Sequence, residues 1–255
     1  MISILKRAAL VAIMSLTASV CSFAVGNEQE AGKFDYSVRI GYEVGGTAPL
    51  GMPASIRGLN SFQPRANILV GGDAHYAFSS RWGLMASLWL ENKGMRTDAK
   101  VKNYSMEMRQ GTDNITGRFT GNVVTEVDEW MISIPVMAAF EAHKVRVKVG
   151  PYVSWVFDGN FSGYAYDGYL RNGTPTGAKV LIGNDETTRG DYDFSSDMRK
   201  CQFGVAAGAD WHFGRHLGTF LNLSWGLTGV FNDDFKTIEQ TMYPIYGSVG
   251  LLWGF

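Results

Sequence analysis

The 255 residues are 45% hydrophobic, 13% aromatic and only 18% charged, with 31 glycines and a formal net charge of -1. That is poor in charge and rich in glycine and aromatics for a soluble domain. No basic patch dominates, which excludes a nucleic-acid-binding protein on electrostatic grounds.

The chain opens on an export signal over residues 1–24. Lys6 and Arg7 precede the apolar run AALVAIMSLTASV and the small-x-small triplet Ser22-Phe23-Ala24, which places cleavage after Ala24. A lipoprotein acylated at Cys21 is the competing reading, and bulky Val20 directly before that cysteine disfavours it. Cleavage leaves Cys201 alone, so no internal disulfide framework exists. Beyond the signal no run of 18 or more apolar residues occurs, which excludes a transmembrane helix but not a β-barrel.

Residues 25–255 carry eight alternating segments. The first, 34–44, sets Phe34, Tyr36, Val38, Ile40, Tyr42 and Val44 against Asp35, Ser37, Arg39 and Glu43. Residues 67–78 set Ile68, Val70, Ala74, Tyr76 and Phe78 against Asn67, Asp73 and His75, and residues 82–93 follow with Trp82, Leu84, Leu88 and Leu90 against Ser87, Glu91 and Lys93. Residues 129–141 oppose Trp130, Ile132, Ile134, Val136 and Phe140 to Glu129, Ser133 and Glu141. Next, Val145, Val147, Val149, Val153, Trp155 and Phe157 oppose Lys144, Arg146, Lys148 and Asp158. Phe203, Val205, Trp211 and Phe213 oppose Gln202 and Asp210; Leu217, Leu221, Leu223, Trp225, Leu227 and Phe231 oppose Asn222 and Ser224. The eighth, YPIYGSVGLLWGF, runs from Tyr243 to Phe255. Period-two alternation of this length predicts strands.

The connections predict the topology. Ser79–Arg81, Ala142–His143 and Gly214–His216 are tight, whereas 45–66, 94–128, 159–199 and 232–241 are long. Short periplasmic turns alternating with long extracellular loops is the pattern of an outer-membrane barrel. Folding back across Ala142 and His143 pairs Glu141 with Lys144, and the other turns pair Phe78 with Trp82 and Phe213 with Leu217, like face to like face.

A soluble barrel with the apolar face inside is the alternative. Against it, the polar face mixes Gly, Ser, Ala and Tyr with charges of both signs, whereas a solvated sheet usually carries Lys, Glu and Thr. Aromatics also lie at both ends of the apolar rows. Trp82, Phe140, Trp211 and Trp253 fall toward the tight turns, and Tyr42, Trp130, Trp155, Trp225 and Tyr243 toward the loops, as two interfacial girdles. The last strand has to pair with the first because an open edge in lipid leaves backbone groups unsatisfied. Phe255 then belongs to the periplasmic girdle and serves as an assembly signal.

The segments ENKGMRTDAKVKNYSMEM (91–108), WVFDGNFSGYAYDGYLR (155–171) and DFKTIEQTMYPIYGSVGLLWGF (234–255) resemble the PorT-type family of outer-membrane β-barrel proteins, over essentially all of the mature chain. The resemblance implies an integral outer-membrane barrel, in a family whose namesake is implicated in secretion of proteins to the cell surface. It brings no catalytic motif.

An eight-stranded barrel is just wide enough for side chains to fill. The expected lumen carries Asp35, Glu43, Asp73, Glu91, Glu129, Glu141, Asp158 and Asp210 against Lys33, Arg39, Lys93, Lys144, Arg146 and Lys148. Arg39 and Asp73 fall near mid-height on neighbouring strands and read as a buried pair rather than a transport path. Catalysis at the outer leaflet by a histidine base is disfavoured, because His75, His143, His212 and His216 all fall toward the periplasmic end. The stretch GNDETTRGDYDFSSD (183–197) lacks calcium-loop spacing and reads as solvated charge, and Cys201 reads as inert against lipid. Pro135 and Pro151 lie inside strands, where only a local bulge would absorb the lost ladder bonds. Segments 99–107 and 118–127 also alternate, so the third and fourth strands extend beyond the membrane.

The fold expected is all-β, an eight-stranded antiparallel up-and-down transmembrane barrel over residues 25–255 in a bacterial outer membrane. No catalytic, cofactor-binding or metal-binding residue is assigned, and no cofactor is expected. The expected role is non-enzymatic: structural, envelope-assembly or secretion-supporting, with surface binding through the loops. The alternative is an outer-membrane enzyme or small-solute transporter. Expected partners are outer-membrane lipid and lipopolysaccharide, and the barrel-assembly machinery through the strand ending at Phe255.

Overall fold

A computed structural model describes residues 32–51, 53–110, 113–172, 176–235, 237–238 and 240–255. The expected signal over 1–24, with Cys21, lies outside the described residues. Among the described residues, eleven strands form one antiparallel sheet. They are β1 (Phe34–Pro49), β2 (Ile56–Pro64), β3 (Asn67–Ala77), β4 (Trp82–Gln110), β5 (Asp113–Ala142), β6 (Val145–Asn172), β7 (Lys179–Ile182), β8 (Gly190–Asp193), β9 (Cys201–His212), β10 (Leu217–Gly226) and β11 (Met242–Gly254).

Eight of these close a ring in the order β1, β3, β4, β5, β6, β9, β10, β11 and back to β1. The seam runs from Ser37 opposite Gly254 to Pro49 opposite Met242. At its periplasmic end the Phe255 N–H donates to Tyr36 O at 3.0 Å. Eight strands and no open edge is the barrel expected from the alternating segments.

Burial decides which face is inside. Ile40, Val149 and Leu221 are 61%, 57% and 63% exposed, while their chain neighbours Arg39, Lys148 and Phe220 are 1–2% exposed. Exposed apolar side chains encircle all eight strands and buried charges fill the centre, the reverse of a soluble barrel. An apolar band of that extent is stable only in lipid. Trp82, Trp211 and Trp253 ring its periplasmic edge, and Tyr42, Trp155 and Trp225 its outer edge, all exposed.

Two turns have the expected register: Phe78 N–H donates to Trp82 O at 3.1 Å and Phe213 N–H to Leu217 O at 3.2 Å. The third differs. The tight turn is His143-Lys144, with His143 at φ 60°, so Glu141 opposes Arg146 rather than Lys144. The parity is unchanged, so a cross-strand ion pair still forms with the next inward base.

The connections predicted as long loops are largely strand. β4, β5 and β6 contain 29, 30 and 28 residues, whereas crossing the hydrocarbon takes about 9–11. Their outer portions stand clear of the lipid as a tall sheet, flanked by β2, β7 and β8. This extracellular head has its own core, distinct from the lumen. Phe119, Val127, Phe161, Ala165, Leu170 and Val230 are almost fully buried there.

Two residues change place relative to the alternation. A register shift sits where Met131 opposes Val156 while Trp130 opposes Asp158, leaving Phe157 as the extra residue. One extra residue flips every later side chain to the other face. Asp158 therefore shares the outward Trp130 face instead of entering the lumen. β10 ends at Gly226, so Phe231 lies beyond the lipid-facing row and packs in the head, 4.7 Å from the Phe161 ring. Pro135 and Pro151 need no bulge. The β5–β6 register is the same on both sides, from Pro135 opposite Tyr152 to Ala138 opposite Val149. Pro151 accounts for this interval, and Pro135 for a matching one in the β4–β5 ladder, between Ala86 opposite Val136 and Trp89 opposite Ser133, again with no change of register.

Candidate functional site

The lumen is filled by three storeys of ionisable side chains, placed there by the inward parity of each strand. At the periplasmic mouth Arg146 on β6 donates to Glu141 at 2.6 Å and to both Asp35 oxygens at 3.2 and 3.0 Å. His75 Nδ1 lies 2.7 Å from Asp35 Oδ2. Asp35, His75 and Glu141 bring ligand-type atoms within 4.8 Å of one another. The Arg146 guanidinium already bridges the two carboxylates, so the geometry fits an ion-paired cluster.

At mid-height Arg39 Nε donates to Asp73 Oδ2 at 2.7 Å, and Arg39 Nη2 lies 2.5 Å from the same oxygen. Ser37 Oγ and Trp89 Nε1 also donate to Asp73, at 2.9 and 3.1 Å. Asp210 stands 3.5 Å from Arg39 and accepts from Lys148 Nζ at 2.6 and 2.8 Å. Two acids and two bases make the storey neutral. The guanidinium is sandwiched 4.8 Å from the Phe220 ring centre and 5.3 Å from that of Trp89. Gly71 opens the space for the Trp89 ring, where a β-carbon would collide with Trp89 Cδ1.

The upper storey has an excess of acid. Lys93 Nζ donates to Glu91 at 3.0 Å and sits under the rings of Tyr152 and Tyr246 at 5.6 and 5.7 Å. Ser133 donates to Glu91, and Gln202 donates to Glu129 at 2.7 Å. Glu43 is buried in the same storey. The structure thus brings together the sequence-predicted lumen residues, apart from Asp158 and from Lys33 and Lys144, which are exposed at the periplasmic rim. With Leu69, Met85, Met137, Phe220 and Leu252 packed between the storeys, the interior is a side-chain core.

The head is organised differently. Phe161, Phe194, Phe231 and Phe235 stack with centroid separations of 4.4–6.4 Å. The Tyr192 hydroxyl donates to Val124 O at 2.8 Å and lies 2.7 Å from Thr125 Oγ1, and burial pushes this phenol's pKa far above its ordinary value. On the outer surface Arg65 and Arg96 clamp Glu126 at 2.5 and 2.6 Å. Half-exposed pairs of this kind contribute little stability.

The Asp-rich stretch is folded into the head rather than hanging free. Asp191 on β8 opposes Arg109 and accepts from Arg189 at 2.7 Å, while Asp193 accepts from Ser195 N–H and Oγ at 2.9 and 2.6 Å. Arg189-Gly190-Asp191 is not a projecting tripeptide, since Gly190 is buried against Met108. Cys201 is exposed at the outer end of β9, as expected.

Sequence reasoning missed the head core and a cavity of about 310 Å³ within it, bounded by β2, β4 and the outer ends of β1 and β11. Neither has a local signature. The only sign was the alternation within 99–107 and 118–127, which marks strands but not what they enclose.

A closed ring of eight strands, an apolar belt with aromatic edges and a polar, ion-paired interior define an integral outer-membrane β-barrel protein. Residues 24–232 match the family described as outer membrane protein beta-barrel domain, and the chain belongs to that family. No curated protein matches the sequence. Among solved structures, similar folds include OprG from Pseudomonas aeruginosa (10% identity, 90% of this chain and 99% of that one, TM-score 0.40). They also include Ail, the attachment invasion locus protein of Yersinia pestis (10%, 89% and 100%, 0.37). The outer membrane protease OmpT from Escherichia coli is another (10%, 91% and 99%, 0.30).

The protein should fractionate with outer membranes and resist carbonate extraction. Unboiled samples should migrate differently on gels from boiled ones, because a closed ladder survives detergent until heated. Recovery as a soluble periplasmic species is the result that conflicts with the exposed apolar belt.

Proposed function

We propose that this protein is a non-enzymatic outer-membrane barrel of the PorT type. Its extracellular head does the work, binding at the cell surface in support of envelope assembly or secretion. The observation that carries the reading is the division of the chain into a lumen sealed by paired charges and a head with a separate core. A sealed lumen offers no route for a solute, and an eight-stranded ring leaves no bore once its side chains are in place. All four histidines, at positions 75, 143, 212 and 216, lie at the periplasmic end, which weighs against an outer-leaflet hydrolase using a histidine base.

The test removes the head and keeps the barrel. Excising residues 97–125 and 162–193 joins ends that already face one another. Arg96 opposes Glu126, and the Phe194 N–H donates to Phe161 O at 2.8 Å. This headless chain should still insert and show heat-dependent mobility. In the native bacterium it should reproduce the surface-protein defect of a strain lacking the protein altogether. A headless strain that secretes and displays surface proteins normally, beside a defective null strain, would place the function in the barrel.

A further inference from the structure

We propose that the cavity in the extracellular head binds a single neutral aliphatic chain carrying a hydroxyl or similar small hydrogen-bonding group. The inference rests on the head being the binding part of the molecule and names what it takes.

Among the described residues, no Asp, Glu, Lys, Arg or His lines the cavity. Its walls come from Ile56 and Phe62 of β2, Met95 and Met106 of β4, Phe194, and Met242 of β11. Such a lining offers nothing to a charged headgroup, whose desolvation would go uncompensated. Its polar side chains are hydroxyls alone, and those of Thr125 and Tyr192 are already engaged with each other. An empty apolar space of about 310 Å³ forfeits the dispersion contacts that close-packed interiors make. The physical expectation is an apolar occupant. Three lining methionines, Met95, Met106 and Met242, suit a flexible chain, since the thioether adapts to irregular shapes.

One of these hydroxyls, that of Thr47, specifies more. Thr47 Oγ1 is buried, and the hydroxyl beside it, that of Tyr246, is too poorly aligned to satisfy it, so both retain hydrogen-bonding capacity. The Thr47 N–H is already committed to Met95 Sδ at 3.2 Å. Buried hydroxyls are normally satisfied, so Thr47 is the place for the ligand's one polar group. Entry is marked by β2, whose Leu59 and Phe62 both line the cavity and are exposed at its rim. β2 is also irregular for its nine residues, with two register shifts against β4.

The experiment uses the full-length protein with ¹³C-methyl-labelled methionine, in amphipol and in lipid nanodiscs, titrated with 1-decanol, decanoate and decane. Decanol should shift the Met95, Met106 and Met242 signals saturably, leaving Met85 and Met137 of the lumen unmoved. Decanoate should bind at least tenfold more weakly. Thr47→Val should weaken decanol about five- to tenfold, the value of one neutral hydrogen bond, and leave decane unchanged. Met106→Trp, which fills the space, should abolish the shifts while the barrel keeps its heat-dependent mobility. Signals already at the bound position in nanodiscs but not in amphipol would identify a membrane-lipid chain as the source. A shift that requires added alcohol in both would identify a free molecule. Shifts that never saturate, that appear equally at all methionines, or that are as strong for decanoate would overturn the proposal. Because it is made on purified protein, this titration stands or falls separately from the headless-strain test.

Discussion

Replacing Arg39 alone should destabilise the barrel more than replacing Arg39 together with its partner. Arg39→Met leaves Asp73 and Asp210 facing a single base, Lys148, in a storey where all four side chains are almost fully buried. An uncompensated buried charge costs about 3–5 kcal/mol, so the unfolding temperature of the reconstituted protein should fall sharply. The Arg39→Met, Asp73→Leu double variant keeps the Lys148–Asp210 pair at 2.6 Å and restores neutrality. It is not free of cost, because Ser37 Oγ and Trp89 Nε1 lose their shared acceptor, each worth roughly 1–3 kcal/mol when left unsatisfied. The order expected is wild type, double variant, single variant. If the double variant is the least stable, the pair is net stabilising and the neutral-storey account fails. Single-channel recordings on the same samples decide the other half. The wild type should show no open-channel current, and a clear current that the double mutation alters would replace the plug with a pathway.

The second large effect is expected at the seam. Gly41 on β1 and Gly250 on β11 are register partners, both facing the lumen. A β-carbon on Gly250 would collide with Ile40 O and Gly41 Cα, and one on Gly41 would lie 2.6 Å from Phe220 Cζ. The two glycines make the recess into which Phe220 lays its ring over Arg39. Overpacking a core costs typically 1–3 kcal/mol, and here the obstacle is backbone, which cannot rotate away. Gly250→Leu should therefore prevent closure and abolish the heat-dependent gel shift. Gly247→Ala on the same strand is the control, since its β-carbon would meet nothing nearer than 3.8 Å. Equal insertion of both variants would show that the seam tolerates bulk at this height.

How much of this was legible in the sequence follows from which signals are local. Alternation is local, and it marked all eight ring strands, their inward and outward faces and the Arg39–Asp73 pair. It failed where a single residue broke the period: Phe157 gave no sign of being extra, so Asp158 was assigned to the wrong face. It failed by one step at a turn, because nothing in Ala142-His143-Lys144 declares which two residues adopt the tight conformation. Phe231 continued an alternating row past the point where the strand stops pairing. The head stayed hidden for a different reason. Its core joins residues from 95 to 231, and its cavity is a property of that assembly, with no motif to announce it.

The ring closes between Ser37 and Gly254, nearly the whole chain apart, whereas the head is raised on consecutive strands whose pairings begin at neighbouring residues such as Arg109 and Asn114. Local hairpins zip early, and long-range closure pays its entropy last. The closed lumen gives that order a direction in space. Once Arg39, Phe220 and Lys148 stack across the bore, strands bearing Arg96, Glu126 and Asp191 have no passage through it. The head must therefore be delivered to the outer side while β1 and β11 are still apart. Seam formation then acts as a one-way latch, fixing which residues belong to the cell exterior for the lifetime of the folded protein.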